Sequence, residues 1–388
     1  MKSFVVILFL TVFSTLTFSQ SLEDITFGTD STFEVVTWNL EWFPKNGMST
    51  VDSVRKAIDA IDADIIACQE ITDTTLLKQM VDSLDDYEVY FESAWFAGLA
   101  YIYKTDSILI TDIYEIYTSA PYWNAFPRSP MVMELLYRGE PIILINNHYK
   151  CCGDGTLDPG NSSDEEYRRL TANQYLKDYI DENFASSRVI VIGDLNDILT
   201  DPLTDNVFTP FTDYPDHFSF ADNAIATGTS TEWSFPGWPS HLDHILITNE
   251  LFEEFENPLS SIMTIKVDDY LAGGLSEYDS NISDHRPVGL KLDINKTYLS
   301  INNLQENSTT ISLFPNPCHS NTHVFFDGAW LDGSIQLYNA LGQLEMNLYK
   351  PAQEKNVLLD LSGLTNGIHY LVFTELSGRS QTIKFTKI

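Results

Sequence analysis

The feature that most constrains this chain is a series of short apolar β-type runs, each bordered by acidic, amide or histidine residues. The runs are Phe33–Thr37, Asp64–Cys68, Pro141–Asn146, Arg188–Ile192, Asp243–Thr248 and Val288–Leu292. Beside them stand Trp38-Asn39, Gln69-Glu70, Asn147-His148, Gly193-Asp194-Leu195-Asn196, Leu242-Asp243-His244 and Ser283-Asp284-His285. Each run reads as a buried strand. A strand end holds a side chain rigidly while leaving it open to solvent. Ends carrying these groups can converge on one hydrated divalent cation, and hard oxygen ligands suit Mg²⁺, Mn²⁺ or Ca²⁺ rather than zinc.

Helical patterns alternate with the strands. Ser49–Ala63 spaces Val51, Val54, Ala57, Ile58 and Ile61 on one face, and Thr74–Leu84 does the same with Leu76, Leu77, Met80, Val81 and Leu84. Glu165–Phe184 is a third such segment, striped by Tyr167, Leu170, Tyr175, Leu176, Tyr179 and Ile180. Ala100–Lys104 and Met131–Tyr137 add further strand-like stretches. The mixture predicts an α/β fold, a four-layer sandwich of two packed β-sheets flanked by helices. Pro and Gly collect in Cys151–Asn161 and Phe235–Pro239, which read as loops at the face where the motifs gather.

The ends of the chain differ from this middle. Residues 1–19 combine Lys2 with the apolar run Phe4–Phe18 and small residues Thr17 and Ser19, the pattern of a secretory signal peptide. Residues 30–295 hold the strand motifs, and 296–310 form a polar linker rich in Asn, Ser and Thr. Residues 311–388 carry short alternating runs with turn signals at Asp332-Gly333, Leu341-Gly342, Asn366-Gly367 and Ser377-Gly378, which predict a small all-β sandwich. No later stretch approaches transmembrane length, so stable membrane insertion is not expected.

The formal charge of −33 opposes non-specific adhesion to nucleic acid or anionic lipid, but a bound cation reverses the sign locally. Four cysteines are too few for a disulfide framework in a chain of this size. Cys68 reads as a small buried hydrophobe. Cys151 and Cys152 are adjacent, leaving a vicinal disulfide, free thiols or a longer bridge open.

The motifs Thr37-Trp38-Asn39-Leu40, Gln69-Glu70, Gly193-Asp194-Leu195-Asn196-Asp197 and Ser283-Asp284-His285-Arg286-Pro287-Val288 occur in the order found in one family. Residues 30–295 thereby resemble the endonuclease/exonuclease/phosphatase superfamily, which includes deoxyribonuclease I, exonuclease III, neutral sphingomyelinases and inositol polyphosphate 5-phosphatases. The resemblance implies a Mg²⁺-dependent phosphoesterase, with Mn²⁺ or Ca²⁺ as other metals. Glu70 would be the main metal ligand, with Asn39 beside it and Asp284 in the same shell. It further implies that Asp194 aligns or deprotonates the attacking water and that Asn196 donates to a phosphate oxygen. Asp243 would hold His285 as a neutral base, and His148 would serve as a phosphate clamp or charged general acid. Arg128 resembles a phosphate-contacting arginine. One departure stands out: the glutamate that partners the second histidine in deoxyribonuclease I falls at Ala97, leaving Glu92 and Glu134 as candidate substitutes. His241 and His244 read as packing histidines.

The tail has its own resemblance. Phe314-Pro315-Asn316-Pro317, Leu337-Tyr338-Asn339-Ala340-Leu341-Gly342, Leu361-Ser362-Gly363-Leu364, Gly367-Ile368-His369-Tyr370 and Lys384-Phe385-Thr386-Lys387-Ile388 resemble the C-terminal sorting domain of the Bacteroidetes type IX secretion system. That implies export, the secretion machinery as a partner, and a secreted or outer-surface destination. The expected protein is therefore a monomeric extracellular nuclease acting on DNA or RNA. An exported phosphatase or sphingomyelinase-like lipid phosphodiesterase is the alternative, and an inactive binding protein a third reading.

Overall fold

Strict alternation along the first long strand sets the architecture. The structure is a computed structural model that describes residues 20–92, 97–294, 310–327, 330–376 and 380–388. Strand β1 spans Phe33–Phe43, followed by β2 (Ile65–Ile71), β3 (Tyr87–Tyr90), β4 (Gly98–Lys104), β5 (Ile108–Glu115) and β6 (Met131–Tyr137). Then come β7 (Glu140–His148), β8 (Val189–Asp194), β9 (Phe218–Phe220), β10 (Asp243–Thr248), β11 (Ser261–Thr264) and β12 (Val288–Leu292). On β1, Phe33 and Val35 point into a core shared between two sheets, while Val36, Trp38 and Leu40 point to a second core under helices. A strand covered on both faces buries nearly every side chain, which explains its continuous apolar reading.

One sheet has the order β11-β12-β1-β2-β4-β3 and the other β5-β6-β7-β8-β10-β9. Helices α1 (Met48–Ile61) and α2 (Thr74–Val81) cover the first sheet, inserting Val54, Ala57, Ile58, Leu77 and Met80. Helix α3 (Glu165–Asn183) covers the second with Ala172, Leu176 and Ile180. The Asp73 and Asp164 side chains cap α2 and α3, accepting from Leu76 N at 2.9 Å and Tyr167 N at 2.7 Å. The four layers are those anticipated from the sequence.

Several element ends shift by one to three residues from expectation, β2, β7 and β8 among them, and two further boundaries differ more consequentially. Strand β1 does not stop at Thr37 but runs to Phe43, with an irregular register between Asn39 and Phe43. Asn39 thus lies inside a strand. The tail begins a strand at Thr310, the last residue of the expected linker. The rest of that linker and the expected signal peptide lie outside the described residues. The tail forms two antiparallel sheets around Ile311, Val324, Phe326, Ile335, Leu337, Leu359, Leu371, Phe373 and Phe385. Its runs at Gly333–Asn339 and Gly367–Glu375 alternate inward and outward as their sequences predict.

Candidate active site at the converging strand ends

Register alone brings the key residues together. Parallel pairing of β7 with β8 sets His148 opposite Asp194, and antiparallel pairing of β8 with β10 sets Asp194 opposite Asp243. Histidine, aspartate and aspartate therefore form one row across three strands, on the face that continues Leu144, Ile190, Ile192 and Ile245 of the inter-sheet core. In the facing sheet Asn39 stands opposite Gln69. Gly193 is needed for this row, because its φ is +147° and a Cβ there would lie 2.0 Å from the Asn147 carbonyl oxygen. Close approach of β7 and β8, rather than room for substrate, is what excludes a side chain.

Glu70 reaches the site by a different route. Alternation would turn it toward the helices with Cys68, but its φ is +60°, and the β2–β4 register shifts between Cys68 and Ile71. Glu41 and Trp42 on β1 are also left-handed, at φ 37° and 59°. A left-handed backbone at non-glycine residues costs about 1–3 kcal/mol each and persists where packing over-determines it. Here it bends both strand ends into the cleft. Asn39 Nδ2 donates to Asp194 Oδ2 at 2.9 Å and to Glu70 Oε1 at 3.4 Å, while Trp42 N donates to Glu70 Oε2 at 3.2 Å.

The Ser283-Asp284-His285 segment is clipped on from outside. Ser283 Oγ donates to the Asn39 carbonyl at 2.6 Å and accepts from His285 N at 3.0 Å. Trp38 Nε1 donates to the Tyr278 hydroxyl at 3.0 Å, and that hydroxyl donates to the His285 carbonyl. His285 Nδ1 bonds Asp243 Oδ2 at 2.7 Å. Its Nε2 lies 3.8 Å from Asp194 Oδ2 and 3.9 Å from Asp284 Oδ1. Asp284 and His285 precede β12 in a loop, so strand alternation does not send them to opposite faces. His148 Nε2 lies 3.7 Å from Glu70 and 3.6 Å from Asp194.

The electrostatics reverse two expected protonation states. Burial disfavours a charged His285, but Asp243 and Asp194 more than offset it, and its pKa is pushed up to about 10. His285 is thus an imidazolium at neutral pH and no neutral base. Burial, reinforced by Arg128 and His285, holds His148 well below the ordinary histidine range. It is neutral, and so no charged general acid. Asp194 is pushed up to about 7, chiefly by burial, with Asp243 and Glu70 adding to it against the opposing pull of His285 and Asn39. Burial and like charge separate these groups into a near-neutral carboxyl and a fixed cation.

Asn196 has φ 54° and anchors its N–H on Asp194 Oδ1 at 3.0 Å, with its amide donating to the Tyr149 carbonyl at 3.3 Å. Arg128 donates to the Ala97 carbonyl at 3.2 Å and sits near enough to depress His148. Neither candidate substitute for the missing acid reaches His148. Glu134 accepts from Tyr114 at 2.9 Å, Glu92 is exposed and accepts from Tyr90, and the buried His148 Nδ1 has no partner among the described residues. Cys151 and Cys152 are free thiols with their sulfurs 3.0 Å apart.

Sequence reasoning missed Glu41. Its N–H donates to Asn39 Oδ1 at 2.9 Å, and its carboxylate accepts from Asp284 N at 2.8 Å and pairs with Lys45. Burial raises its pKa; the bond to Lys45 opposes this, and the negative charge of Asp284 adds to it. Two residues after Asn39 on an apparent strand, it looked like an ordinary outward charge. Glu41, Glu70 and Asp284 supply hard oxygen donors of the kind a divalent cation takes. Among the described residues, the compact sets of possible ligand atoms are Asp194, Asp243 and His285 in the row itself and Asp222, His241 and His244 behind it.

Residues 36–285 match the endonuclease/exonuclease/phosphatase family, and the chain belongs to it. Enzymes of that family are hydrolases that depend on divalent metal. Residues 312–387 match the secretion system C-terminal sorting domain, a tail that marks the chain for type IX secretion to the cell surface or beyond. No curated protein matches. Among solved structures, TDP2 of D. rerio complexed with single strand DNA product has a TM-score of 0.50 at 12% identity, covering 68% of this chain and 99% of that one. The catalytic domain of human Nocturnin with bound sulfate has 0.49 at 15% identity, covering 67% and 94%. An endonuclease/exonuclease/phosphatase from Bacteroides vulgatus has 0.49 at 14% identity, covering 69% and 100%. The first of these bears on the fold alone. Among the described residues no helix is long and apolar enough to cross a membrane.

Proposed function

We propose that this protein is an exported, Mg²⁺-dependent phosphodiesterase that hydrolyses nucleic acid outside the cell. The observation that carries the proposal is the row His148–Asp194–Asp243 meeting Asn39, Glu70 and His285 across the cleft. Glu70, Asn39 and Asp284, joined by Glu41, would hold the cation, which supplies charge neutralisation at the phosphate oxygens. Asp194, with a pKa near 7, takes the proton from the water that bonds to phosphorus, while the ester P–O bond opposite breaks and its leaving oxygen takes a proton from solvent. The His285 imidazolium, fixed by Asp243, donates from Nε2 to the phosphate as negative charge grows there. Asn196 and Arg128 add donors, and neutral His148 presents Nε2 to the cleft beside Glu70 and Asp194.

A lipid phosphodiesterase is favoured by one observation, the exposure of Trp42 and Trp238. Trp238 lies in the loop closed by the Phe235–Ser240 bridge, and Phe235 packs against His285 with ring centroids 4.8 Å apart. Assays of the secreted protein on DNA, RNA, sphingomyelin and a small phosphodiester, each with Mg²⁺ or chelator, decide between them. Chelator-sensitive cleavage of nucleic acid is expected; turnover of sphingomyelin alone would replace the nuclease reading.

A further inference from the structure

Behind the catalytic row lies a second set of buried ionisable groups. His244 follows Asp243 on β10 and points to the opposite face, under α3, between the rings of Phe208 and Phe220. Its Nδ1 meets Asp222 Oδ2 at 2.6 Å, and its Nε2 meets the Asp197 main-chain carbonyl at 2.9 Å. A carbonyl oxygen can only accept, so Nε2 carries a proton. Asp222 already accepts from Ile245 N at 2.8 Å and sits 3.1 Å from His241 Nε2. His241 Nδ1 receives the Ser234 N–H at 3.2 Å, which leaves its proton on Nε2, donated to Asp222. With donors already on both of its oxygens, Asp222 is favoured as the carboxylate, which places the shared proton on His244 Nδ1. Burial opposes ionisation of both partners, yet their mutual attraction wins, lowering Asp222 and raising His244.

Asp197 receives a second buried cation. Arg169 of α3 donates from Nε to Asp197 Oδ2 at 2.7 Å and from Nη1 to the Lys150 and Cys152 carbonyls at 2.7 and 2.8 Å. The segment that ends in Asp197 carries Asp194 and Asn196, and the one Arg169 grips follows His148. We propose that His244 is a positioning residue whose ring, bonded to Asp222 through Nδ1 and to the Asp197 carbonyl through Nε2, clamps Asp194–Asp197 from behind together with Arg169 and fixes Asp194 and Asn196 for reaction. The positioning of a phosphodiesterase reaction rests on the proposed function; the charge and the clamp do not.

Asp222, His241 and His244 also place three ligand atoms within 4.8 Å of one another. A metal there would need the bare Nε2 of His241, which the Ser234 N–H at Nδ1 forbids. The contacts of 2.6 and 3.1 Å are those of hydrogen bonds. The groups facing His244 are Asp222 and His241 from the 222–241 segment, Asp197 from the loop after β8, and Asp243 on its own strand.

Long-range ¹⁵N–¹H spectra of the histidine rings in the intact wild-type protein test the charge without any variant. Both His244 ring nitrogens are expected to stay protonated as the pH rises past the ordinary histidine pKa of about 6.5. A bare ring nitrogen, or titration near that ordinary value, would overturn the proposal. Asp222→Asn tests the clamp. It should neutralise His244 and speed exchange of the Leu195 amide, which donates to Leu242 O at 2.9 Å, at least tenfold, leaving β8 amides unchanged. In the same variant kcat on saturating Mg²⁺ should fall on the order of tenfold with KM within about twofold, the signature of lost transition-state positioning. Neutral His244 with unchanged exchange and kcat would refute positioning. A wild type that cleaves no phosphodiester would refute the proposed function, while the ring spectra and Leu195 exchange still decide the clamp.

Discussion

Two buried histidines in this molecule are each held by a carboxylate at 2.7 Å, His285 by Asp243 in the catalytic unit and His369 by Glu345 in the tail. The difference lies at the other ring nitrogen. His369 Nε2 meets the Thr365 carbonyl at 2.8 Å, so the ring is fully spent on its own fold. His285 Nε2, among the described residues, has only carboxylates at 3.8 and 3.9 Å, beyond hydrogen-bond reach, and faces the cleft. A histidine–carboxylate pair is therefore no evidence of chemistry by itself; an unspent nitrogen beside other converging groups is.

The largest effect that bears on this contrast belongs to Asp194. Asp194→Asn removes the carboxyl assigned to take the proton from water and should lower kcat on the order of a thousandfold, within the span of acid–base catalysis. Steady-state rates on the best substrate, with circular dichroism to confirm folding, check it. A loss below about tenfold would take the proton from another group.

His285→Ala should cost on the order of a hundredfold, and Asp243→Asn nearly as much. Because the pair acts as a unit, the double variant should be little worse than either single one. Fully additive losses in that cycle would separate the two residues.

The pH profile follows from the direction of each shift. Asp194 must be ionised to accept a proton, so with its pKa near 7 the rate should fall about tenfold per pH unit below that point. His285 stays charged until about 10 and gives no acid limb, while neutral His148 gives no alkaline limb between pH 6 and 9. An acid limb that persists unchanged in Asp194→Asn would move the titration elsewhere.

The smallest effect should come from the tail histidine. His369→Ala removes a buried ring and its bonds to Glu345 and the Thr365 carbonyl and should cost about 1–3 kcal/mol of tail stability at the usual worth of two hydrogen bonds. Catalysis should be unchanged within twofold, as measured on the same substrates. A comparable loss of rate would mean that the tail contributes to the site.

Much of this was legible in the chain because buried strands leave a plain apolar signature. Asp243–Thr248 and Val288–Leu292 have the bounds their side chains suggested, and the row of His148, Asp194 and Asp243 follows once these strands pair. What was not legible depends on backbone geometry or distant partners. Glu41 and Glu70 reach the cleft only through left-handed conformations, which overturn the alternation a reader would apply. Asp222 gives no signal at all, standing alone in a loop until folding sets it between two histidines. The reversed charge states of His285 and His148 arise from burial and neighbours that spacing cannot weigh.

The most direct test of the central claim is a Mg²⁺ titration of nucleic-acid cleavage by the wild type and Glu70→Gln, with metal affinity followed separately by calorimetry. Chelator is expected to abolish wild-type cleavage. Glu70→Gln should bind Mg²⁺ on the order of tenfold or more weakly and recover part of its rate at high Mg²⁺. Wild-type Mg²⁺ affinity and metal dependence in that variant would contradict this, and would remove Glu70 from the centre of the site.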